Sequence, residues 1–525
     1  MPASEVLPVI RRRRVLQLAG SALLATAVGC TCDGSRGHNH VAAENKLPGT
    51  GAWKLTNPAT RREIEGYASA TSVRPGESIA LHVSTAAPAF RVEVFRMGWY
   101  HGLGARLVAS PMTVPGGLRA TPPQDPVTGL VSCDWPVSCV VATGSLWATG
   151  VYLARLTAAD SGKQSYVIFV VRDDAHSHDI LFQLPLTTYQ AYNYWGGKSL
   201  YPWGSGTKLP WASASGRPAV KVSFDRPFAA STSPCAATGV GAGDFLTNVQ
   251  PVAFGYPIST AGWDYNMVRW LEREGYDVGY ATSVDTHASA GLLRTPKVFV
   301  SHGHDEYWTW QMRDNVEAAR DAGTNLAFFS ANTACWQIRL EPSPSGAPNR
   351  VIVGYKDTAV DPYSRHSDSH LVTTQFRLAP VSRPEEQMKG SQYIVDPVDG
   401  DMIVTNASHW VFGGTGLANG GRLGGLLGYE VDGRFGDEPA DTVTLTSTPV
   451  VRQPNGRPGQ HAQMTFYTAD GGAGVFSTGT IQWSWGLDDY NAPSIRTSRV
   501  CPAAATITRN VFGRFGARPG SDPRV

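Results

Sequence analysis

Between residues 51 and 172 apolar and polar side chains alternate in short runs, and no stretch carries the three-to-four spacing of an amphipathic helix. EIEGYASA, SIALHVST, FRVEVFRM, GVYLARLT and QSYVIFVV read as separate strands, rich in the β-branched and aromatic side chains that suit a pleated surface. Turn residues punctuate them, among them Arg74-Pro75-Gly76 and Pro115-Gly116-Gly117. This spacing predicts an antiparallel, Ig-like β-sandwich over residues 51–172.

The period changes near Asp179. Residues 180–184 form a short apolar strand, and residues 263–274 (WDYNMVRWLERE) follow helix spacing, with Trp263, Met267, Trp270 and Leu271 on one face and Gly275 where a C-cap belongs. Strands are expected at 276–280, 297–301, 325–329 and 474–478, and helices at 308–322 and 503–515. A succession of strands and helices of this kind argues a mostly parallel sheet, so residues 173–525 are expected to form an α/β domain. Residues 340–470, rich in Gly and Pro, read as irregular with β-like pieces.

Composition narrows the function classes. Apolar residues make up 42% of the chain and charged residues 17%, a globular balance. The net charge is +2, with no basic stripe beyond the N-terminus, which argues against nucleic acid as a partner. That N-terminus is informative. Residues 11–30 (RRRRVLQLAGSALLATAVGC) place a basic cluster before an apolar run too short to span a bilayer comfortably. Two arginines followed by an apolar pair resemble a twin-arginine export signal, so residues 1–30 are expected to direct export to the periplasm, cell surface or medium. Gly29-Cys30 resembles a lipobox, with Ala27 where such boxes prefer Leu; a lipidated Cys30 would attach the chain to a membrane. Residues 31–50 read as a polar linker. Of the seven cysteines, Cys133 and Cys139 have a spacing that suits a small disulfide loop outside the cytoplasm.

Ligands of open α/β sheets bind at the carboxyl ends of strands, and three loops stand there. Residues 301–308 (SHGHDEYW) put two histidines and two carboxylates within five positions, donors for a metal ion or an acid–base pair. The competing reading is that Asp305 or Glu306 merely caps the helix that follows. Residues 187–201 bring Tyr189, Tyr192, Tyr194 and Tyr201 close together, phenols that suit a hard ferric ion or simply pack under a loop. Residues 330–336 offer Asn332, able to donate to a developing oxyanion, and Cys335, a structural thiol or a nucleophile.

TTYQAYNYWGGKSLY, KVSFDRP, WDYNMVRWLEREGYDV, GHDEYWTWQMRDNVEAARDAGTNLAFF, ANTACWQIRLE, GYE and GTIQWSWGLDD occur in this order over residues 170–515. The series resembles the C-terminal domain of the N,N-dimethylformamidase large (beta) subunit family. The resemblance implies a class I glutamine amidotransferase-like α/β domain preceded by β-sandwich structure. It also implies a mononuclear iron held by two tyrosinates and a glutamate, acting as a Lewis acid in amide hydrolysis. Carried over by motif, Glu306 and Tyr192 would bind iron, His304 and Glu430 would handle protons, and Asn332 would stand near the substrate. The second tyrosine is expected near KVSFDRP, where this chain has Phe228; Tyr201, Tyr256 and Tyr265 stay open for that place.

Three functions compete. The first is an exported iron-dependent amidohydrolase acting on a small-molecule amide. The second is a non-catalytic envelope protein that keeps the fold and binds a glycan or peptide. The third is a cysteine amidase built on Cys335. A homo-oligomer is compatible with each.

Overall fold

One strand, Ser78–Met97, organises the N-terminal part of the chain. Its first half pairs antiparallel with Ile64–Ala68 on one side and Cys139–Ala142 on the other. Its second half pairs with Gly150–Ala158 and Met112–Gly117. Eight strands are hydrogen-bonded into one continuous sheet in this way. The alternation predicted two strands where one runs through. The ladder to Met112–Gly117 is irregular between Thr85 and Ala89, so Pro88, which has no N–H to give, sits where regular pairing is already interrupted.

The computed structural model describes residues 39–206, 216–231, 233–248, 260–450 and 460–520; the export signal and Tyr256 lie outside them. Residues 39–50, expected as linker, are built into the fold. Asn39 caps the helix His40–Glu44, and the side chain of Asn45 donates to Glu272 at 2.7 Å while accepting from the backbone of Trp99 and Tyr100. Buried polar partners hold this segment where its composition suggested solvent. Cys133 and Cys139 are free thiols, a correction to the disulfide expectation: Cys133 is buried beside Tyr67 and Trp135, while Cys139 is committed to a ladder position opposite Leu81.

The second sheet has seven strands, in the order Val278–Thr282, Ile180–Leu184, Val298–His304, Asn325–Ala331, Gly474–Ser477, His461–Thr468, Val443–Pro449. The first five are parallel and the last two antiparallel. The expected helices are Asp264–Arg273, Trp310–Asp321 and Pro502–Arg514. The first buries Met267, Val268, Trp270 and Leu271, and ends where Gly275 takes a left-handed φ of 75°. A single core joins both regions: Trp53, Phe95, Met97 and Leu153 pack in one cluster with Phe182, Val298, Val300, Trp270 and Phe476. Within residues 340–470 a long antiparallel pair, Gln392–Ile403 with Arg422–Gly433, lies beside the carboxyl ends of the parallel strands, reached by the bridge Val431–Thr480.

Candidate active site

Four strand-end segments converge. The helix Leu186–Tyr192 follows the strand Ile180–Leu184 directly and delivers Tyr192. The strand Val298–His304 runs in register with Asn325–Ala331, pairing His304 with Ala331, so Glu306 and Asn332 both leave the sheet at the same end. Glu430 comes from Arg422–Gly433. Gly303 has a φ of 60°, and a Cβ there would stand 3.0 Å from Asp264 Oδ1, so glycine is what this backbone accommodates between the two histidines.

Hydroxyl groups form a chain that ends on Glu306. Tyr307 donates to the Tyr201 hydroxyl at 2.5 Å, Tyr201 to the Tyr192 hydroxyl at 2.8 Å, and Tyr192 to Glu306 Oε2 at 2.6 Å. Tyr201 also lies 3.3 Å from Glu306 Oε2. Burial, and then the charge of Glu306, hold all three phenols well above their usual range, so each stays protonated unless a cation joins them.

His304 lies between two carboxylates, its Nε2 3.4 Å from Glu306 and 3.2 Å from Glu430. Burial alone would discharge this imidazole. Glu430 and Glu306 outweigh it, and His304 is held as imidazolium. The carboxylates diverge in response. Burial pushes Glu430 up to about 7, whereas His304, Lys356 and the Tyr192 hydroxyl overcome burial at Glu306 and bring it below its ordinary value. Two acids a few ångströms apart are thus set to different proton affinities, the arrangement general acid–base chemistry needs.

The other residues singled out in the sequence are placed as follows. Asp305 points back into the sheet, accepting from Gln183, Ser301 and Trp308, and is a structural acceptor. Neither it nor Glu306 caps the helix Trp310–Asp321; Thr309 does, accepting from Met312 N. His302 pairs with Asp264 at 2.8 Å, and Tyr189 donates to the same carboxylate, which takes both away from the cluster. Tyr194 bonds the carbonyl of Ala230, and Tyr265 that of Gly104. Phe228 packs edge-on against Tyr189, at 6.4 Å between ring centroids. Of the two described candidates for a second phenol, Tyr201 stands in the cluster and Tyr265 does not; Tyr256 lies outside the described residues. Asn332, just past Ala331, is buried with a φ of 54°. Cys335 is buried with its thiol pushed well above the usual range, a packed structural thiol near Arg377.

Sequence reasoning missed Tyr307, Lys356 and Asp396. Tyr307 follows Glu306 directly and was readable within GHDEYW as a third phenol near the carboxylate. Lys356 had no signal: it stands in an irregular stretch at a φ of 60°, yet its buried ammonium lies 3.3 Å from the centroid of the Tyr201 ring and 5.0 Å from those of Tyr307 and Trp336. Burial lowers it to about 7. Asp396, which accepts from Tyr393 at 2.5 Å, is also raised by burial and belongs to the electrostatic surroundings of Glu306 and His304.

A family model described as N,N-dimethylformamidase beta subunit-like, C-terminal, matches residues 91–495, which is most of the chain. The chain belongs to this family. The match begins inside the strand Ser78–Met97, so it takes in part of the N-terminal sheet as well as the α/β region. Among curated proteins, the N,N-dimethylformamidase beta subunit of Paracoccus aminophilus is 25% identical over 301 residues, and that of an Alcaligenes species 24% over 296. Each alignment covers 48% of this chain and 36% of the relative, so the shared part is about a third of those proteins.

The cluster's fit to a cation is a matter of donor chemistry. Among the described residues no group of three His, Cys, Asp or Glu is arranged to hold a metal ion. The oxygen cluster is of another kind, with two phenols and one carboxylate within 2.6–3.4 Å of one another, hard donors that suit a hard trivalent ion.

Proposed function

We propose that this protein is an iron-dependent amidohydrolase that cleaves the C–N bond of a small amide. The observation that carries the reading is the convergence of Tyr192, Tyr201 and Glu306 beside a His304–Glu430 pair of opposite charge. Membership of a family named for dimethylformamidase beta subunits supports the reaction class. Tyr192, Tyr201 and Glu306 would hold the ion, with Tyr201 replacing the phenol that Phe228 lacks. Bound there, iron would supply Lewis acidity. The chain's own groups do the rest. Glu430, near 7, takes a proton from the attacking water and returns it to the nitrogen as the C–N bond breaks, so that the amine leaves neutral, and His304 retains the charge that steadies Glu430 and Glu306. Asn332 offers its amide hydrogens to the oxygen that gains charge as the carbonyl is attacked. The buried aromatic walls, Trp263 and Tyr429 among them, exclude bulk water.

The same proposal takes the parallel sheet as class I glutamine amidotransferase-like and the N-terminal sheet as an Ig-like scaffold. It takes residues 1–30 as a twin-arginine signal, supported by RRRRVLQ ahead of a run of small apolar residues. Metal analysis and a visible spectrum of the purified protein test the central claim. About one iron per chain with a tyrosinate charge-transfer band is expected, along with turnover of formamide, N-methylformamide or N,N-dimethylformamide. Colourless protein that stays so after ferric ion is added would overturn it.

A further inference from the structure

We propose that Asp432, held by Lys389, is the positioning residue for Asn332; its role in turnover rests on the amidase reading above. Asp432 and Lys389 form an ion pair whose side chains are fully buried. Three backbone features explain why the pair stands there. Asp432 lies two residues after Glu430 on one strand, so both side chains leave the same face. Its own N–H is fixed by the carbonyl of Gly479 at 3.1 Å. Lys389 is fixed in turn, because its carbonyl accepts from Ser477 at 2.6 Å, at the end of a parallel strand.

The second carboxylate oxygen of Asp432 is what matters. It accepts the backbone N–H of Asn332 at 2.8 Å. Asn332 opens a sharp turn off the strand Asn325–Ala331, with a left-handed φ of 54°, and Ala334 repeats that conformation at 56°. Such a turn does not hold itself. Ala334 N is tied to the carbonyl of Asp305 at 3.1 Å and Trp336 N to that of Glu306 at 3.0 Å, which fixes the far side of the turn to the Glu306 loop. Asp432 fixes the near side to the Glu430 strand. The carboxamide oxygen of Asn332 is buried and makes no hydrogen bond among the described residues, so that oxygen is placed by the backbone that carries it and not by a bond of its own. Asp432 therefore sets Asn332 relative to Glu430 across two sheets that share no continuous ladder at this point.

The ion pair itself is replaceable; the acceptor is not. In Lys389→Met, Asp432→Asn protein, a neutral amide oxygen still faces the Asn332 N–H and no charge is buried alone. In Lys389→Met, Asp432→Leu protein the acceptor is gone at similar volume. Hydrogen–deuterium exchange of the peptide spanning 330–336, and kinetics with N,N-dimethylformamide, separate the two. The Asn form is expected to keep the protection of the Asn332 amide and a near-native kcat. The Leu form is expected to melt at a similar temperature, lose that protection, and lose about 10–100-fold in kcat with little change in KM. Asp432→Asn alone sets its amide donors against Lys389 or Asn332, and should be rescued by adding Lys389→Met. A Leu form with native protection and kcat would overturn the assignment, as would single and double Asn variants that behave alike. If the native protein turns over none of the amides, the exchange result still decides the positioning claim, and the amidase reading alone fails.

Discussion

Two of the buried clusters of charge are built in opposite ways. The first is Arg96 with Glu272, which joins the N-terminal sheet to the helix Asp264–Arg273. Arg96 reaches Glu272 at 2.8 and 3.0 Å, the Thr149 carbonyl at 2.8 and 3.1 Å, and the Tyr100 hydroxyl at 3.1 Å. Glu272 also accepts from Asn45 and Tyr280. Even the neighbouring backbone is trimmed: a Cβ on Gly98 would lie 2.1 Å from Glu272 Oε2. The second is the strand-end cluster. There Glu430 meets His304 at 3.2 Å, an ion pair with few further ties, and the ammonium of Lys356 faces aromatic rings with no hydrogen-bond partner among the described residues. The first cluster ties charge down with many bonds to one carboxylate and stabilises the fold. The second holds neighbouring groups at altered proton affinities, and that is worth its cost only where chemistry uses it.

Glu306→Ala should have the largest effect. The Glu306 carboxylate is bonded to the phenols and not to backbone, so the variant is expected to fold, bind no iron and show no turnover. Metal content measured on the folded variant checks this, and retained iron would sink the ligand assignment. Arg96→Met comes next. It strands the Glu272 carboxylate in the interior and should lower unfolding free energy by about 3–5 kcal/mol, measured by denaturant titration. A loss below about 1 kcal/mol would mean that the first cluster is not the joint described here.

Glu430→Gln should do the reverse of Arg96→Met. Stability holds or rises, because burial already disfavours this carboxylate, while kcat falls by about 100-fold or more as the base is lost. The sign with pH follows. A base pushed up to about 7 is active only when deprotonated, so native turnover should climb as pH rises through about 7, and the variant's profile should lack that limb. A native profile flat across that window would count against Glu430.

Much of this was readable in the chain and some was not, for physical reasons. The parallel strands and the helices were visible because their period is strong and their ends carry Gly275 and Gly323, both left-handed in the structure. Residues 39–50 misled because polar side chains read as solvated until their buried partners are known: Asn45 is polar in sequence but buried in space, bonded to Glu272, Trp99 and Tyr100. Glu306, His304 and Tyr192 could be found because strand ends and motif order marked them. Lys356 could not, since it comes to Tyr201 from 155 positions away in a loop without period. That separation is also why Tyr201 stood level with Tyr265 as a candidate until their partners could be compared.

The finest test separates those two phenols. Tyr201→Phe removes a hydroxyl that accepts from Tyr307 and donates to Tyr192, and Tyr265→Phe removes one that donates to the Gly104 carbonyl at 2.6 Å. Each loses bonds in a buried setting, so both should cost on the order of 1 kcal/mol in stability. Their spectra should differ. With iron bound, Tyr201→Phe is expected to weaken and shift the tyrosinate band, because one of two phenolate donors is gone, while Tyr265→Phe leaves it unchanged. Equal stability loss with unequal colour assigns Tyr201 to the ion by chemistry and not by packing. A band that survives Tyr201→Phe intact would return that phenol to the same class as Tyr265, a buried hydroxyl that serves only the fold, and would leave Tyr192 and Glu306 to be completed by another donor.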